Sequence, residues 1–141
     1  MPNHCYQQVR ITGPRDLVEV LNNAVKQGNL LQTVCPMPLE VYCEVNPLEQ
    51  GWYDWRWNNW NTKWDICEVE DQQYIPSEKA SLEFRCWTAW GAPIPIWDRL
   101  IKLGCTVDAD YQDEGGLFEG QYRNGYNHSW KPNLEEELEN A

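Results

Sequence analysis

The sequence predicts an α+β fold in which two helices cover one face of an antiparallel sheet. Several segments alternate apolar and polar residues, the pattern of strands that are buried on one side. Two other segments space their apolar residues by three and four positions, as amphipathic helices do. The order strand, helix, strand, strand, helix, strand matches a ferredoxin-like β-α-β-β-α-β plait. An extra C-terminal β-hairpin strand and a long Trp-rich loop complete the predicted fold.

Residues 5–12 predict the first strand, because their apolar residues share one parity. Gly13-Pro14 ends this strand, and the first helix begins at Pro14 or Asp16. Gly28 ends the helix. The apolar stripe of the helix consists of Leu17, Val18, Leu21, Ala24 and Val25.

Residues 29–50 predict an irregular connection, because three prolines interrupt any long element. The stretch over residues 50–62 is predicted as loop or short helical turns, since its asparagines favour turns. We expect this bulky segment to cover the sheet face that the helices leave open. Five of the nine tryptophans belong to it or follow it closely: Trp52, Trp55, Trp57, Trp60 and Trp64.

Residues 63–69 predict the second strand from their β-branched and aromatic content, and residues 71–79 a polar connection. Residues 80–87 alternate more regularly and predict the third strand. Residues 93–103 predict the second helix, since proline is tolerated in a first turn. The inward residues of the third strand are Leu82, Phe84 and Cys86.

Residues 105–111 and 117–123 predict two strands joined by a turn at Gly115-Gly116. Asn124-Gly125 is a second hairpin signal, and a short edge strand over residues 126–130 follows it. These elements fit a single domain over residues 1–132. A short acidic tail over residues 133–141 follows.

The composition limits the classes of partner and compartment. No run of 18 apolar residues occurs and the N-terminus lacks a signal-peptide pattern, so we expect a cytoplasmic protein without a membrane segment. The net charge is −11, and residues 108–141 carry nine acidic and two basic residues. Such a surface repels nucleic acids and attracts basic partners. Solubility alone is the alternative interpretation of this charge.

No metal site, cofactor or catalytic residue is predicted. The six cysteines form no CxxC pair and only two histidines accompany them, so we expect free thiols that pack as small apolar residues. The serines lie in no recognisable catalytic motif. Asp108 with Asp110, and Asp113 with Glu114, could hold Mg²⁺, but a solvated sheet face explains them more simply.

Four separated stretches follow one another in the order of a known family. They are Met1-Pro2-Asn3 with Cys5 and Ile11-Thr12-Gly13; residues 60–65; residues 84–90; and Tyr111, Gly115 and Phe118-Glu119-Gly120. On these stretches the chain resembles the YubB ferredoxin-like family of proteins from phages and conjugative plasmids. The resemblance implies a ferredoxin-like fold and a mobile-element origin, hence a host-cell cytoplasm, but no settled activity.

The chain departs from the family pattern at two positions. His4 stands where the family tends to have Trp, and Asn61 where it tends to have Gly. Asparagine tolerates a left-handed backbone, so a turn at Asn61 remains compatible with the family pattern. The resemblance assigns the family motif to Trp60, Lys63, Trp64, Asp65 and Trp90.

These features predict an inhibitor of a host defence factor, an anti-CRISPR or a similar anti-defence protein. Tryptophans would anchor the contact and carboxylates would steer it toward a basic nucleic-acid-binding groove. The predicted partner-binding residues are Trp52, Trp55, Trp57, Asp108, Asp110, Asp113, Glu114 and Glu119.

Two alternatives stay open. Tryptophans could line a pocket around Lys63, which would make the chain a small-ligand-binding protein or an enzyme. The expected lining is Trp60, Trp64, Trp87 and Trp90. Aromatic residues on a ferredoxin-like sheet also suggest a single-stranded nucleic-acid-binding module, although the negative charge opposes phosphate binding.

Overall fold

The computed structural model describes residues 4–38 and 54–131 and the backbone of residues 51–53. The elements in chain order are β1 (His4–Pro14), α1 (Arg15–Gln27), α2 (Leu30–Val34), α3 (Gly51–Trp60), β2 (Cys67–Ile75), β3 (Lys79–Ala89), α4 (Ile94–Lys102), β4 (Thr106–Asp113), β5 (Glu119–Arg123) and β6 (Tyr126–Trp130). Cys43, Pro47 and the predicted acidic tail lie outside the described residues.

The strands form one antiparallel sheet in the order β2-β3-β1-β4-β5-β6. The central strand β1 pairs with both β3 and β4. The predicted α+β class is confirmed, and the order β2-β3-β1-β4 is compatible with the predicted plait. The hairpin of β5 and β6 extends the sheet beyond β4, as the two glycine-containing turns predicted.

The hydrophobic core lies on one face of this sheet, between the strands and the helices. Every second residue of β1, β3 and β4 points into it, which confirms the predicted alternation. The helices contribute Val18, Leu21 and Val25 from α1 and Ile96, Trp97 and Leu100 from α4. The predicted stop of α1 is also found, because Gly28 adopts a left-handed φ of 73° and its N–H closes the last turn.

The segment predicted as a Trp-rich loop contains a ten-residue helix, α3. Its asparagines are accommodated in the last turns, where the Asn59 amide donates to the carbonyl of Trp55. Burial of Trp60 against the core explains why tertiary packing overrides turn propensity here. A short helix, α2, likewise replaces the first residues of the predicted irregular connection.

The expectation that this segment covers the open face of the sheet is wrong for its described residues, and only Trp64, just after the segment, reaches that face. Trp60 belongs to the same core cluster as the buried residues of α1, α2 and α4. All four helices of the described part therefore lie on one side of the sheet. The opposite face, which we call the open face, carries no described helix.

Strand β2 lies at an edge and follows a different path from the predicted one. It spans Cys67–Ile75, so the stretch predicted as a polar connection is largely strand. Its register against β3 shifts twice, and Glu68 and Asp71 adopt positive φ angles of 50° and 52°. The alternation of half-buried and exposed residues along β2 changes phase between Glu70 and Asp71, so the strand does not show one continuous two-residue repeat. Among the described residues, no helix is long and apolar enough to cross a membrane.

Candidate functional site

A cluster of four aromatic rings occupies one end of the open face. Tyr6 on β1 lies directly opposite Trp87 on β3, with ring centroids 5.3 Å apart in an edge-to-face arrangement. The ring of His4 lies 5.6 Å from Trp87 and 5.7 Å from Trp64. All four side chains are half-buried, so they are held in place while part of each ring still meets solvent.

Glutamines occupy the middle of the open face beside this aromatic cluster. Gln8, Gln112 and Gln121 line a shallow cavity of about 250 Å³ together with Tyr6 and Trp130. The Trp130 indole N–H donates to the Glu119 carboxylate over 2.8 Å. Amide side chains offer both donors and acceptors, so this part of the face can bind polar groups of either kind.

The other end of the open face alternates positive and negative charges around a wider depression of about 510 Å³. Arg10 pairs with Glu83 at 2.5 Å, and Arg123 pairs with Asp110 at 2.7 Å. The carboxylate of Asp71 lies 3.5 Å from Arg85. These arginines interrupt the row of carboxylates, so the acids do not form a continuous negative surface.

The predicted acidic contact residues do not all reach this surface. Asp108 and Asp110 lie exposed on the open face of β4. Asp113 is 3% exposed, and its carboxylate accepts the N–H of Leu117 inside the turn between β4 and β5. Asp113 therefore stabilises the hairpin and is removed from the predicted contact surface.

The two remaining acids have partners within the fold. Glu114 accepts the backbone N–H of His4 and lies 3.6 Å from its imidazole. Glu119 is half-buried and accepts the hydrogen bond from Trp130. Both remain partly accessible and can contribute to a contact.

The predicted aromatic contact residues lie on the helical side, away from these acids. Trp55 is half-buried against the core and meets Trp60 edge-to-face at 5.7 Å. Trp57 is 41% exposed and packs edge-to-face on Trp90. The side chain of Trp52 is outside the described residues. The predicted tryptophans and carboxylates therefore do not form one surface.

Two of the residues that the sequence resemblance singles out, Trp60 and Asp65, support the fold directly. Trp60 is 1% exposed, and its indole N–H donates to the carbonyl of Cys35 over 2.9 Å. Asp65 accepts the backbone N–H groups of Leu31, Gln32 and Ile66 at 2.8–2.9 Å. Burial raises the pKa of the Asp65 carboxyl, against the opposing effect of these three donors.

Asn61, Lys63 and Trp90 hold the turn that follows α3. Asn61 adopts a φ of 59°, in agreement with the left-handed turn that the sequence permits there, and its amide donates to the carbonyl of Ala92. The Lys63 ammonium lies 5.5 Å from the centre of the Trp90 ring, a cation–π contact. The Trp64 ring contacts the ring of His4 in the aromatic cluster. Lys63 and Trp64 therefore contact different residues, Trp90 and His4.

Three buried cysteines, Cys5, Cys86 and Cys105, are poor nucleophiles at neutral pH. Burial raises the pKa of Cys5 to about 12, with the Asp113 charge adding to the effect, and burial also raises the pKa of Cys86 and Cys105. A thiol reacts as its thiolate, so these three groups are unreactive in the folded state. Their burial confirms the predicted inward positions. No group of three potential metal ligands occurs among the described residues.

We expect all six cysteines of the chain to be free thiols. The five within the described residues are free, and Cys43 lies outside them. Thiol titration of the denatured, unreduced protein should count about six groups per chain. The native protein should react more slowly, because Cys5 and Cys86 are fully buried. A count of two or fewer would contradict both the free thiols and the expectation of a cytoplasmic protein.

Sequence reasoning missed Tyr6 and Trp130 as surface residues. The signal was present for Tyr6, because its parity in the first strand is opposite to that of the inward residues Cys5 and Val9. Trp87 has the outward parity of the third strand in the same way, although it was expected to line a pocket around Lys63. Only the pairing of β1 with β3 brings Tyr6 and Trp87 together.

No known family model matches the chain, and neither a curated protein nor a solved structure matches it.

Proposed function

We propose that the chain is a ferredoxin-like, non-enzymatic binding protein of a phage or plasmid. In this proposal it inhibits a host defence factor, such as a CRISPR effector, by occupying a basic nucleic-acid-binding surface. The observation that carries the proposal is the open face, where an aromatic cluster lies on the same side of the sheet as exposed carboxylates. The sequence resemblance supports the mobile-element origin.

The aromatic end of the open face supplies the anchors. Tyrosine and tryptophan dominate binding energy in protein interfaces, because they bury a large area at a small loss of side-chain entropy. Tyr6 and Trp87 stand on the adjacent strands β1 and β3, so little reorganisation is needed before binding. Trp130 lies further along the same face, on β6.

The other end of the open face, around Arg10, Arg85 and Arg123, can steer a charged partner toward the protein. Arg10, Arg85 and Arg123 are each paired with a carboxylate, so they offer little uncompensated positive charge. The chain as a whole carries a net charge of −11. A partner with a basic groove is therefore attracted at long range. On contact, lysines and arginines of the partner can replace the arginines of this chain as partners of its carboxylates.

The alternative of a reactive pocket around Lys63 is less well supported. The Lys63 ammonium lies against Trp90, and Lys63 does not line the cavity beside Trp57 and Trp90. The buried thiols with raised pKa values do not supply a nucleophile.

Single-stranded nucleic acid is a second candidate, favoured by one observation. Tyr6 and Trp87 form an aromatic pair on neighbouring strands of an open sheet face, an arrangement on which bases can stack. The negative charge of the chain and the paired state of the three arginines oppose this candidate. We therefore favour a protein partner.

Pull-down from host lysate at low salt, followed by kinetic measurement with the recovered partner, tests the proposal. The double variant Asp108→Asn/Asp110→Asn should slow association about tenfold, and the difference should shrink as salt screens the charges. Trp87→Ala should instead speed dissociation by about tenfold or more. Removal of residues 133–141 should change little, because terminal segments seldom carry binding energy.

Asp16→Asn/Glu19→Gln is the matched control, since it removes the same charge from the exposed surface of α1. Equal effects of the two double variants would mean that total charge, and not the open face, governs association. Recovery of no host protein would contradict the proposal. Tight binding of a fluorescent oligo-dT probe that Trp87→Ala abolishes would establish the nucleic-acid candidate in its place.

A further inference from the structure

A second cavity, which we call the ring cleft, lies on the helical side of the sheet. It has a volume of about 260 Å³ and opens between the end of α3, the segment before α4 and the strands β4 to β6. Its principal lining residues are Trp57, Trp90, Tyr111, Phe118, Asn127 and Ser129. Tyr111 has the inward parity of β4, so the ring cleft and the open face are on opposite sides of the sheet.

Two edge-to-face ring pairs shape the ring cleft. The rings of Trp57 and Trp90 are 5.8 Å apart at an angle of 74°. The rings of Tyr111 and Phe118 are 6.1 Å apart at 61°. Trp57 is 41% exposed, so the opening of the cleft is accessible. Such walls present flat apolar surfaces and ring edges, which favour a planar guest.

Tyr111 is fixed before any guest arrives. A side chain at Gly120, its partner on β5, would collide with the Tyr111 ring, so glycine makes room for the ring at this position. The Tyr111 hydroxyl donates to the Asn127 side-chain oxygen over 2.6 Å. A rigid wall loses little entropy on binding.

The lining is electrically neutral in a strongly charged protein. Asp, Glu, Lys, Arg and His are absent from the residues that line the ring cleft, whereas the whole chain carries 33 acidic or strongly basic residues. Burial raises the pKa of Tyr111, so its hydroxyl stays protonated at neutral pH. Asn127 and Ser129 provide hydrogen-bonding groups at one side. An ionic guest would lose its hydration there without gaining an opposite charge among the lining residues, since Lys63 lies against Trp90 but does not line the cleft.

We propose that the ring cleft binds a small, uncharged planar molecule of one or two fused rings with a hydrogen-bonding edge. An enclosed apolar cavity of about 150 Å³ accommodates benzene. The ring cleft is open to solvent, and its volume of about 260 Å³ leaves room for an indole or a similar fused heterocycle. Its flat walls take the faces and edges of the guest, while Asn127 and Ser129 bind its polar edge. The ring cleft lies on the opposite side of the sheet from the open face, and its test does not depend on the proposed inhibitor function.

Titration of the ¹⁵N-labelled protein with indole, followed by NMR, tests this proposal. The indole N–H resonances of Trp57 and Trp90 should shift and saturate with a dissociation constant near or below about 1 mM, a realistic affinity for a fragment of this size. Trp57→Ala should weaken binding at least tenfold, and Asn127→Ala about threefold to tenfold. Tyr126→Ala is the matched control and should leave the dissociation constant unchanged, because Tyr126 is 70% exposed on the same strand as Asn127 and does not line the ring cleft.

Three results would overturn the proposal. One is the lack of saturable shifts up to 10 mM indole, roughly ten times the expected dissociation constant. Another is unchanged binding by Trp57→Ala whose spectrum still shows a folded protein. The third is tighter binding of a ligand of another class. Tenfold tighter binding of a tryptophan-containing tripeptide would show that the cleft binds a peptide side chain. Tighter binding of tetramethylammonium than of indole would show that it binds a cation.

Discussion

Trp60→Ala is expected to lower the free energy of unfolding by about 3–5 kcal/mol, the usual cost of deleting a buried tryptophan. The ring is 1% exposed and packs in the core cluster that all four described helices share. Its removal would also leave the carbonyl of Cys35 without its indole donor. Because small domains have total stabilities of about 5–15 kcal/mol, this one change should bring the chain close to unfolding. Urea denaturation followed by far-UV circular dichroism measures the effect.

Two variants separate packing from the hydrogen bond. Trp60→Phe keeps much of the ring and loses the donor to Cys35, so it should cost about 1–3 kcal/mol. Trp57→Ala is the matched control, since the same residue type in the same helix is 41% exposed. If Trp60→Ala cost no more than Trp57→Ala, the assignment of α3 to the core side of the sheet would be wrong.

Asp65→Ala is expected to lower the free energy of unfolding by about 3 kcal/mol. Its carboxylate accepts three backbone N–H groups, two of which open the short helix α2. Hydrogen bonds to a charged acceptor contribute about 1.5–3 kcal/mol each. The loss is smaller than the sum of three such bonds, because the site is half-buried and water can hydrogen-bond to the freed N–H groups. Denaturation at neutral pH and hydrogen exchange at Leu31 and Gln32 report the loss, because both amides should exchange faster.

Asp65→Asn should cost less than the alanine variant but should still be destabilising, because its amide oxygen can accept the N–H groups of Leu31 and Ile66 while its amide nitrogen would face the N–H of Gln32. Asp71→Asn is the control, since Asp71 is an exposed carboxylate whose pairing with Arg85 contributes at most about 1 kcal/mol. Equal stability of Asp65→Asn and wild type would show that the charge of Asp65 is not required for α2.

The sequence was sufficient to locate most of the regular elements. Strands β1, β3 and β4 and helices α1 and α4 all lie where the apolar spacing placed them, within a few residues at the ends. It did not predict the helix α3 or the bounds of β2. It also placed Trp57 and Asp110 on one contact surface, whereas they lie on opposite sides of the sheet. The candidate site was predicted less well than the fold, because a contact surface depends on which strands become neighbours.

What the sequence determined by itself is the set of local periodicities. In β1 the inward positions of Cys5, Val9 and Ile11 follow from the two-residue repeat of any strand. The amphipathic stripe of α1 and its left-handed end at Gly28 are likewise properties of one short segment. These features need no distant partner, so the sequence alone reveals them.

The tertiary structure decided what depends on contacts between distant segments. The register of β1 against β3 places Tyr6 beside Trp87, and that of β4 against β5 places Asp110 beside Arg123. Burial of Trp60 turned a stretch of turn-favouring residues into a helix, and two bulges gave β2 its path. Such outcomes depend on the free energy of the whole packed core, which outweighs local preference and leaves no local pattern in the sequence.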